Sequence, residues 1–280
     1  FLRFWFEVSV EKLGLHVCSR SEAIESKKKW FQYQKGGDFR KWYGNLEYVV
    51  NWESDGYEVQ NFADEKTGRI RSHNYNLDYI FKDGVTWNAL SSSSTSARIS
   101  KSSLFDNAGS SMFAASAEDN LGLLSLMNSY IVSDLVKIIS PTLNYQPGDI
   151  AKLPVAYSPT QRSVIAENAK RAIAIAKADW DSFETSFEFS GFGVVKNSKF
   201  ESRLVSSWIS NSSVVDESHA ALKMIEVENN RLLIDAYGLQ GELSPEVPDS
   251  QITLARADRE KDSQRLISYA IGCMMGRYSL

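Results

Sequence analysis

WFQYQKGGDFRKWYGNLEYVVNW, residues 30–52, places aromatic and branched runs on either side of the pair Gly36-Gly37. Such side chains favour extended, half-buried backbone, and adjacent glycines permit dihedral angles closed to other residues. LEYVVNW (46–52) therefore predicts a strand. Outward from it the texture continues, with Trp, Tyr and Phe broken at short intervals by Gly, Asn, Asp and Ser clusters, and DYIF (78–81) predicts another strand. The opening FLRFWFEVSV is interrupted by Arg3 and Glu7 and is followed by no small-residue cleavage site, so it reads as a buried strand rather than a targeting segment. One helix-like interruption is expected at Asn120 to Ile139, where Leu123, Leu124, Met127, Ile131 and Leu135 fall near helical spacing.

The texture changes near Pro154 to Pro159. From Gln161 to Trp180 the apolar residues Ile165, Ala169, Ile173, Ala176 and Trp180 recur every third or fourth position and predict a helix. A second helix is predicted from about Asp216 to Tyr237, stopped by Gly238, and a third from Asp258 or Asp262 through Cys273. Gly241 to Asp249 is a connector, GFGVV (191–195) a turn and SSSSTSAR (91–98) a loop of low complexity. The expected fold is α+β: a mixed, mainly β domain over 1–159 with one internal helix, then a helical region over 160–280. Lys and Arg number 17 against 18 acids through residue 160 and 14 against 17 afterwards, so this division rests on texture and not on charge. The absence of an initial Met and the stop just after an apolar stretch read as the ends of a piece of something longer.

A net charge of -4 argues against a protein that coats nucleic acid by charge alone, although a site-specific binder needs only a local basic patch. Cys18 and Cys273 make no disulfide framework and predict reduced thiols in a cytosolic protein. His16, His73 and His219 lack metal-ligand spacing, and no apolar run approaches the length of a membrane span. No Asn or Asp is followed by two prolines, as a grip on a flipped adenine would require, and no glycine-rich methyl-donor loop or GxxxxGK[ST] occurs. Glu25-Ser26-Lys27 has the Glu-x-Lys form of a nuclease but no Asp upstream, and no serine sits in a Gly-x-Ser-x-Gly elbow. No catalytic residue, cofactor-binding residue or metal ligand is assigned.

Two segments could face a polyanion. From Arg20 to Lys41 seven basic residues meet three acids, 7 − 3 = +4 in an otherwise acidic chain, interleaved with aromatics around Gly36-Gly37. Arg40 and Lys41 could pair with phosphates, and Arg40 could also present two donors to guanine. The alternative for this segment is a charged hairpin whose aromatics lie in the core. In GVTWNALSSSSTSAR (84–98), Thr86 and Ser92 offer hydroxyls and Arg98 closes the tract; the alternative is an ordinary loop.

The same segments resemble the region after the catalytic domain in PglX-type methyltransferases of BREX phage-defence systems, a region shared with related fused restriction enzymes. The likeness runs in order through 30–52, GVTWNALSSSSTSAR, LFDNAGSSMF (104–113), LGLLSLMNS (121–129), PTLNYQPGDIAKLP (141–154) and ISYAIGCMMGRYSL (267–280). It implies a target-recognition domain and following helices that read duplex DNA for an upstream domain of the same chain. That domain would bind S-adenosylmethionine and methylate adenine N6 on a base flipped from the stack. The resemblance implies DNA-facing roles for Lys35, Arg40, Lys41, Asn45, Thr86, Ser92 and Arg98, and structural roles for Gly44, Trp52, Gly148 and Pro154. A second reading of the same chain is a protein-interaction module that docks other defence-system subunits.

Overall fold

The structure is a computed structural model, and it describes residues 1–72, 74–89, 95–140, 144–196 and 203–278. In chain order the first half contains β1 (Leu2–Phe4), β2 (Leu13–Gly14), α1 (Arg20–Glu25), β3 (Trp30–Gln34), β4 (Tyr48–Asn51), α2 (Glu53–Gln60), β5 (Gly84–Asn88), β6 (Ala97–Ser100), β7 (Leu104–Phe105) and β8 (Gly109–Met112). One sheet has the order β1-β4-β3-β2, with β7 joining β3 in parallel through Tyr33↔Leu104 and Gln34↔Phe105. The other is antiparallel with the order β6-β5-β8. β3 and β4 pair antiparallel, Phe31 opposite Val50, so residues 35–47 form the long connection between them.

Two expected strands are corrected. The opening segment pairs only through β1, an edge strand with one neighbour, and it leaves Phe1 and Phe6 43% and 48% exposed. DYIF is not a strand: Leu77–Tyr79 is a 3-10 turn, and Phe81 takes a left-handed φ of 66°. That turn delivers Ile80 and Phe81 to the core beneath the first sheet, where the Phe81 ring meets Phe31 edge-on at 5.5 Å.

The helices continue as α3 (Ala117–Met127), α4 (Tyr130–Ile139), α5 (Pro147–Ile150), α6 (Pro159–Trp180), α7 (Gly193–Lys196), α8 (Leu204–Tyr237) and α9 (Arg259–Met274). The interruption expected as one helix is two, bent by 72°. Ser129 starts α4 by accepting from the amide of Val132, and Asn128, at the break, clamps both backbone groups of Ala97 on β6. α6 begins at a capping box of Ser158 and Gln161 with Pro159 at its first position, and α9 at an Asp258 cap. α8 ends at Gly238 in the left-handed conformation, as expected, but starts at Leu204, twelve residues before Asp216 (216 − 204 = 12). Ser and Asn crowd that first stretch and are weak helix formers. Packing holds it instead, with Trp208 Nε1 donating to Asp262 Oδ2 at 3.0 Å across to α9.

The largest core cluster takes Trp42, Val85, Trp87, Ala97 and Ile99 from the strand-bearing half and Ile165, Ala169, Leu222, Ile225 and Leu233 from α6 and α8. α3 lies between them, packed on α6 and on β6. The fold is α+β, and the long β3–β4 connection is held at the centre of this shared core. Among the described residues no single helix is long and apolar enough to cross a membrane.

Candidate nucleic-acid interface

The β3–β4 connection threads between the second sheet and the helices. Its course requires glycine at two points: Gly36 (φ 82°) packs against the carbonyl of Ala108, and Gly44 (φ 125°) lies against Arg40 and Trp180 with no room for a Cβ. Trp42 borrows the pairing of β6, its amide donating to Ala97 O at 2.8 Å while its carbonyl accepts from the amide of Ile99 at 2.9 Å. This short parallel bridge, Trp42 beside Arg98, buries the Trp42 ring.

Burial on that scale makes an unpaired polar group costly, and most of those nearby have a partner. Arg40 bonds Asp179 Oδ2 at 2.6 Å and the carbonyl of Tyr43 at 2.8 Å, and its guanidinium lies 4.9 Å from the Trp180 ring centroid. Lys41 Nζ meets Glu226 Oε2 at 2.5 Å, and the other oxygen of that carboxylate accepts from Trp42 Nε1 at 2.8 Å. Asn45 is buried with φ 57° and donates to Asp38 O at 3.0 Å. Thr86, fully buried on β5, donates to Ser110 O across to β8.

Arg98 has no exposed surface. It donates to Arg40 O at 3.1 Å and Asn88 Oδ1 at 2.9 Å, and its Nε has no partner among the described residues. Burial, and then the charge of Arg40, bring its pKa down to about 10, against the opposing pull of Glu47, so it remains a cation at neutral pH. Burial likewise pushes the Glu47 carboxyl above its ordinary value, with Arg98 and Arg40 pulling the other way.

Of the expected site residues, Lys35 alone among those described presents an exposed charge; it pairs with Asp106 at 3.0 Å. Arg40, Lys41, Asn45, Thr86 and Arg98 come together, but as an interior network with internal partners. Ser92 lies outside the described residues. In the upstream basic run, Lys27 is exposed, Lys28 donates to Glu11 O at 2.6 Å, and Lys29 faces Glu53 and Glu58 at 3.2 and 3.7 Å.

The exposed edge of this network is one loop end of the second sheet. Asn88, at the end of β5, donates to Gly37 O at 2.7 Å and Asp38 O at 3.3 Å. Asp106 caps the turn before β8 through the amides of Ala108 and Gly109 at 2.8 and 3.0 Å. Lys35, Gly36, Gly37 and the 106–109 turn therefore share one surface, braced from inside by Arg98 and Asn88. Sequence reading missed Asn88 and Asp106, which have no local motif. Among the described residues no group of three His, Cys, Asp or Glu side chains could hold a metal.

No protein-family model matches the chain. It is 40% identical over its whole length to the adenine-specific methyltransferase PglX of Lacticaseibacillus casei (strain Zhang). It is 33% identical, again over its whole length, to the adenine-specific methyltransferase BrxX of Escherichia coli O9:H4 (strain HS). In each case the chain spans only 23% of the relative's length. End-to-end identity at these levels makes the chain a relative of one part, just under a quarter, of the PglX-type adenine-specific methyltransferases, the family its ordered motifs resemble.

Proposed function

We propose that this chain is the DNA target-recognition portion of a site-specific adenine-N6 methyltransferase in phage defence. It holds and reads duplex DNA for an S-adenosylmethionine-dependent catalytic domain elsewhere in the same polypeptide. The observation that carries this reading is the full-length match to two adenine-specific methyltransferases by a sequence that lacks the motifs for methyl transfer. The residues here do not fit the methyl donor: Gly191 precedes and Gly193 begins a single helical turn that follows no strand, so no chemical step is assigned to them.

In this reading the loop end around Lys35–Asp38 and 106–109 faces DNA, with Lys35 on a phosphate. Arg40, Lys41, Asn45, Thr86 and Arg98 set the shape of that surface from behind. The test is selection from randomised duplex DNA at roughly physiological salt. Enrichment of a short asymmetric motif, with affinity that falls as salt rises, is expected. DNA binding by an intact relative that survives deletion of this region would overturn the reading.

A second reading, a surface that docks other defence-system proteins, draws on the exposed Ile267, Ile271 and Met274, which recur at helical spacing along α9. A pull-down of such subunits that depends on residues 160–280 and ignores DNA would favour it.

A further inference from the structure

Between the first sheet and the end of α6 lies a cavity of about 250 Å³ whose walls include Tyr43, Trp180 and Phe187. Gln32, Lys101 and Lys177 add polar groups to the lining. Successive side chains of a strand point to opposite faces. Phe31 enters the core beneath the sheet with no exposed surface, so Gln32 is turned to the cavity side. Its carboxamide has no hydrogen-bond partner among the described residues.

The aromatic walls are fixed from behind. The Arg40 guanidinium stacks at Trp180, and Phe187 meets Trp5 edge-on at 5.4 Å. Lys177 is held by Asp181 and sits 5.3 Å from the Tyr43 ring centroid. Lys101 is different: its side chain is 64% exposed, with Asp83 at 3.8 Å as its ion-pair neighbour. Two non-glycine residues in left-handed backbone, His16 (φ 66°) and Ser102 (φ 50°), also line the space. Such local cost concentrates where a surface is shaped for a ligand.

These groups specify a ligand class. Aromatic faces take a planar ring, and a free carboxamide offers a donor and an acceptor side by side, the pattern that matches the edge of adenine. An exposed ammonium at the rim reaches a phosphate. The volume lies below the roughly 300 Å³ at which pockets for drug-sized ligands begin, which leaves room for one base and not for a base pair. We propose that the cavity receives a single unstacked nucleobase, with Gln32 on its edge and its phosphate on Lys101. The source of that nucleotide, bound DNA, rests on the function proposed above.

Two measurements separate the two ideas. In the first, the chain is titrated with each deoxynucleoside 5′-monophosphate and with deoxyribose 5-phosphate, for wild type, Gln32→Leu and Lys101→Ala. A base-dependent affinity is expected that each variant weakens about fivefold or more, the lower end of what one bidentate base contact contributes. Lys101→Ala keeps the test open if Gln32→Leu disturbs folding, because Lys101 is exposed. In the second, duplex DNA carrying photoreactive 8-azidoadenine at random adenine positions is irradiated in the complex and the adducts are mapped by mass spectrometry, with adducts expected on Tyr43, Trp180 or Phe187. Nucleotide binding that both variants weaken, without any duplex binding, keeps the cavity and removes the DNA reading. Duplex binding with adducts only elsewhere, and no effect of the variants on nucleotides, removes the cavity and keeps the DNA reading. Neither kind of binding removes both.

Discussion

The ammonium of Lys41 and the carboxylate of Glu226, 185 residues apart in the chain, meet at 2.5 Å with side chains only 5% and 4% exposed. The pair joins the β3–β4 connection to the middle of α8. Two charges this deep cost solvation that only each other and a further hydrogen bond can offset, and Trp42 Nε1 supplies that bond. Lys41→Ala should therefore destabilise the fold by about 3–5 kcal/mol in urea unfolding, because it strands a buried carboxylate. Pairing Lys41→Met with Glu226→Gln, which keeps an acceptor for Trp42, should cost less than either charge deletion alone. Glu226→Leu should cost about 1–3 kcal/mol more than Glu226→Gln, the penalty for an orphaned indole N–H. Additive single and double variants would mean that the pair contributes no coupling.

The same connection depends on Gly44. A Cβ there would lie 2.4 Å from Arg40 Nε and 2.8 Å from Trp180 Cε3, at a φ of 125°. At Gly68, φ is 67° and a Cβ would meet nothing within 4 Å. Gly68→Ala should cost only the left-handed backbone penalty, about 1–2 kcal/mol. Gly44→Ala should cost clearly more, since the collision displaces the Arg40–Asp179 pair as well. Equal losses in the two variants would show that the Arg40 side chain yields freely.

Much of this architecture is legible in the sequence, and the rest fails for a physical reason. Local signals placed the helices: apolar spacing marked α6, while Asp258 before α9 and Gly238 after α8 act within one turn of their own position. The strand in 46–52 was legible from its aromatic and branched side chains, of which Val49, Val50 and Trp52 are buried. The fate of Arg40, Lys41 and Arg98 was not. A cation reads as surface unless its partner is visible, and Asp179 and Glu226 lie 139 and 185 residues downstream. Glu226 reads as one more charge on a long helix. Gln32 and Phe187 carry no local signal either, because the cavity they line exists only once α6 lies against the first sheet.

Tyr157 gives a pH test of how the helices close on the strand-bearing half. Its ring is partly buried, and a Cβ on Gly122 of α3 would lie 2.7 Å from its hydroxyl. Burial, then the charge of Asp119, push its pKa from 10.0 up to about 12. The folded chain thus favours the neutral phenol, so this contribution is complete below pH 10 and is lost as pH rises through 12. Partial exposure limits the effect to about 1–2 kcal/mol. Tyr157→Phe should leave stability at pH 7 nearly unchanged and flatten the decline between pH 10 and 12. A variant as steep as wild type in that window would place the titration on another group.

Under the proposed function Lys35 is a DNA-contacting charge and Arg40 a framing one, and variants of the two should behave differently. Lys35 is 43% exposed and its pair with Asp106 lies at the surface, where such pairs contribute little to stability. Lys35→Ala should leave thermal unfolding almost unmoved. It should lower duplex affinity at all sequences alike and reduce the slope of log affinity against log salt by about one. Arg40 is 14% exposed and tied to Asp179 and Trp180, so Arg40→Ala should lower the unfolding midpoint first. Any loss of DNA binding in Arg40→Ala should then shrink when binding is measured well below that midpoint. If Arg40→Ala instead removes one unit of salt slope at full stability, the guanidinium reaches phosphate in the complex, and the Arg40–Asp179 pair must open when DNA binds.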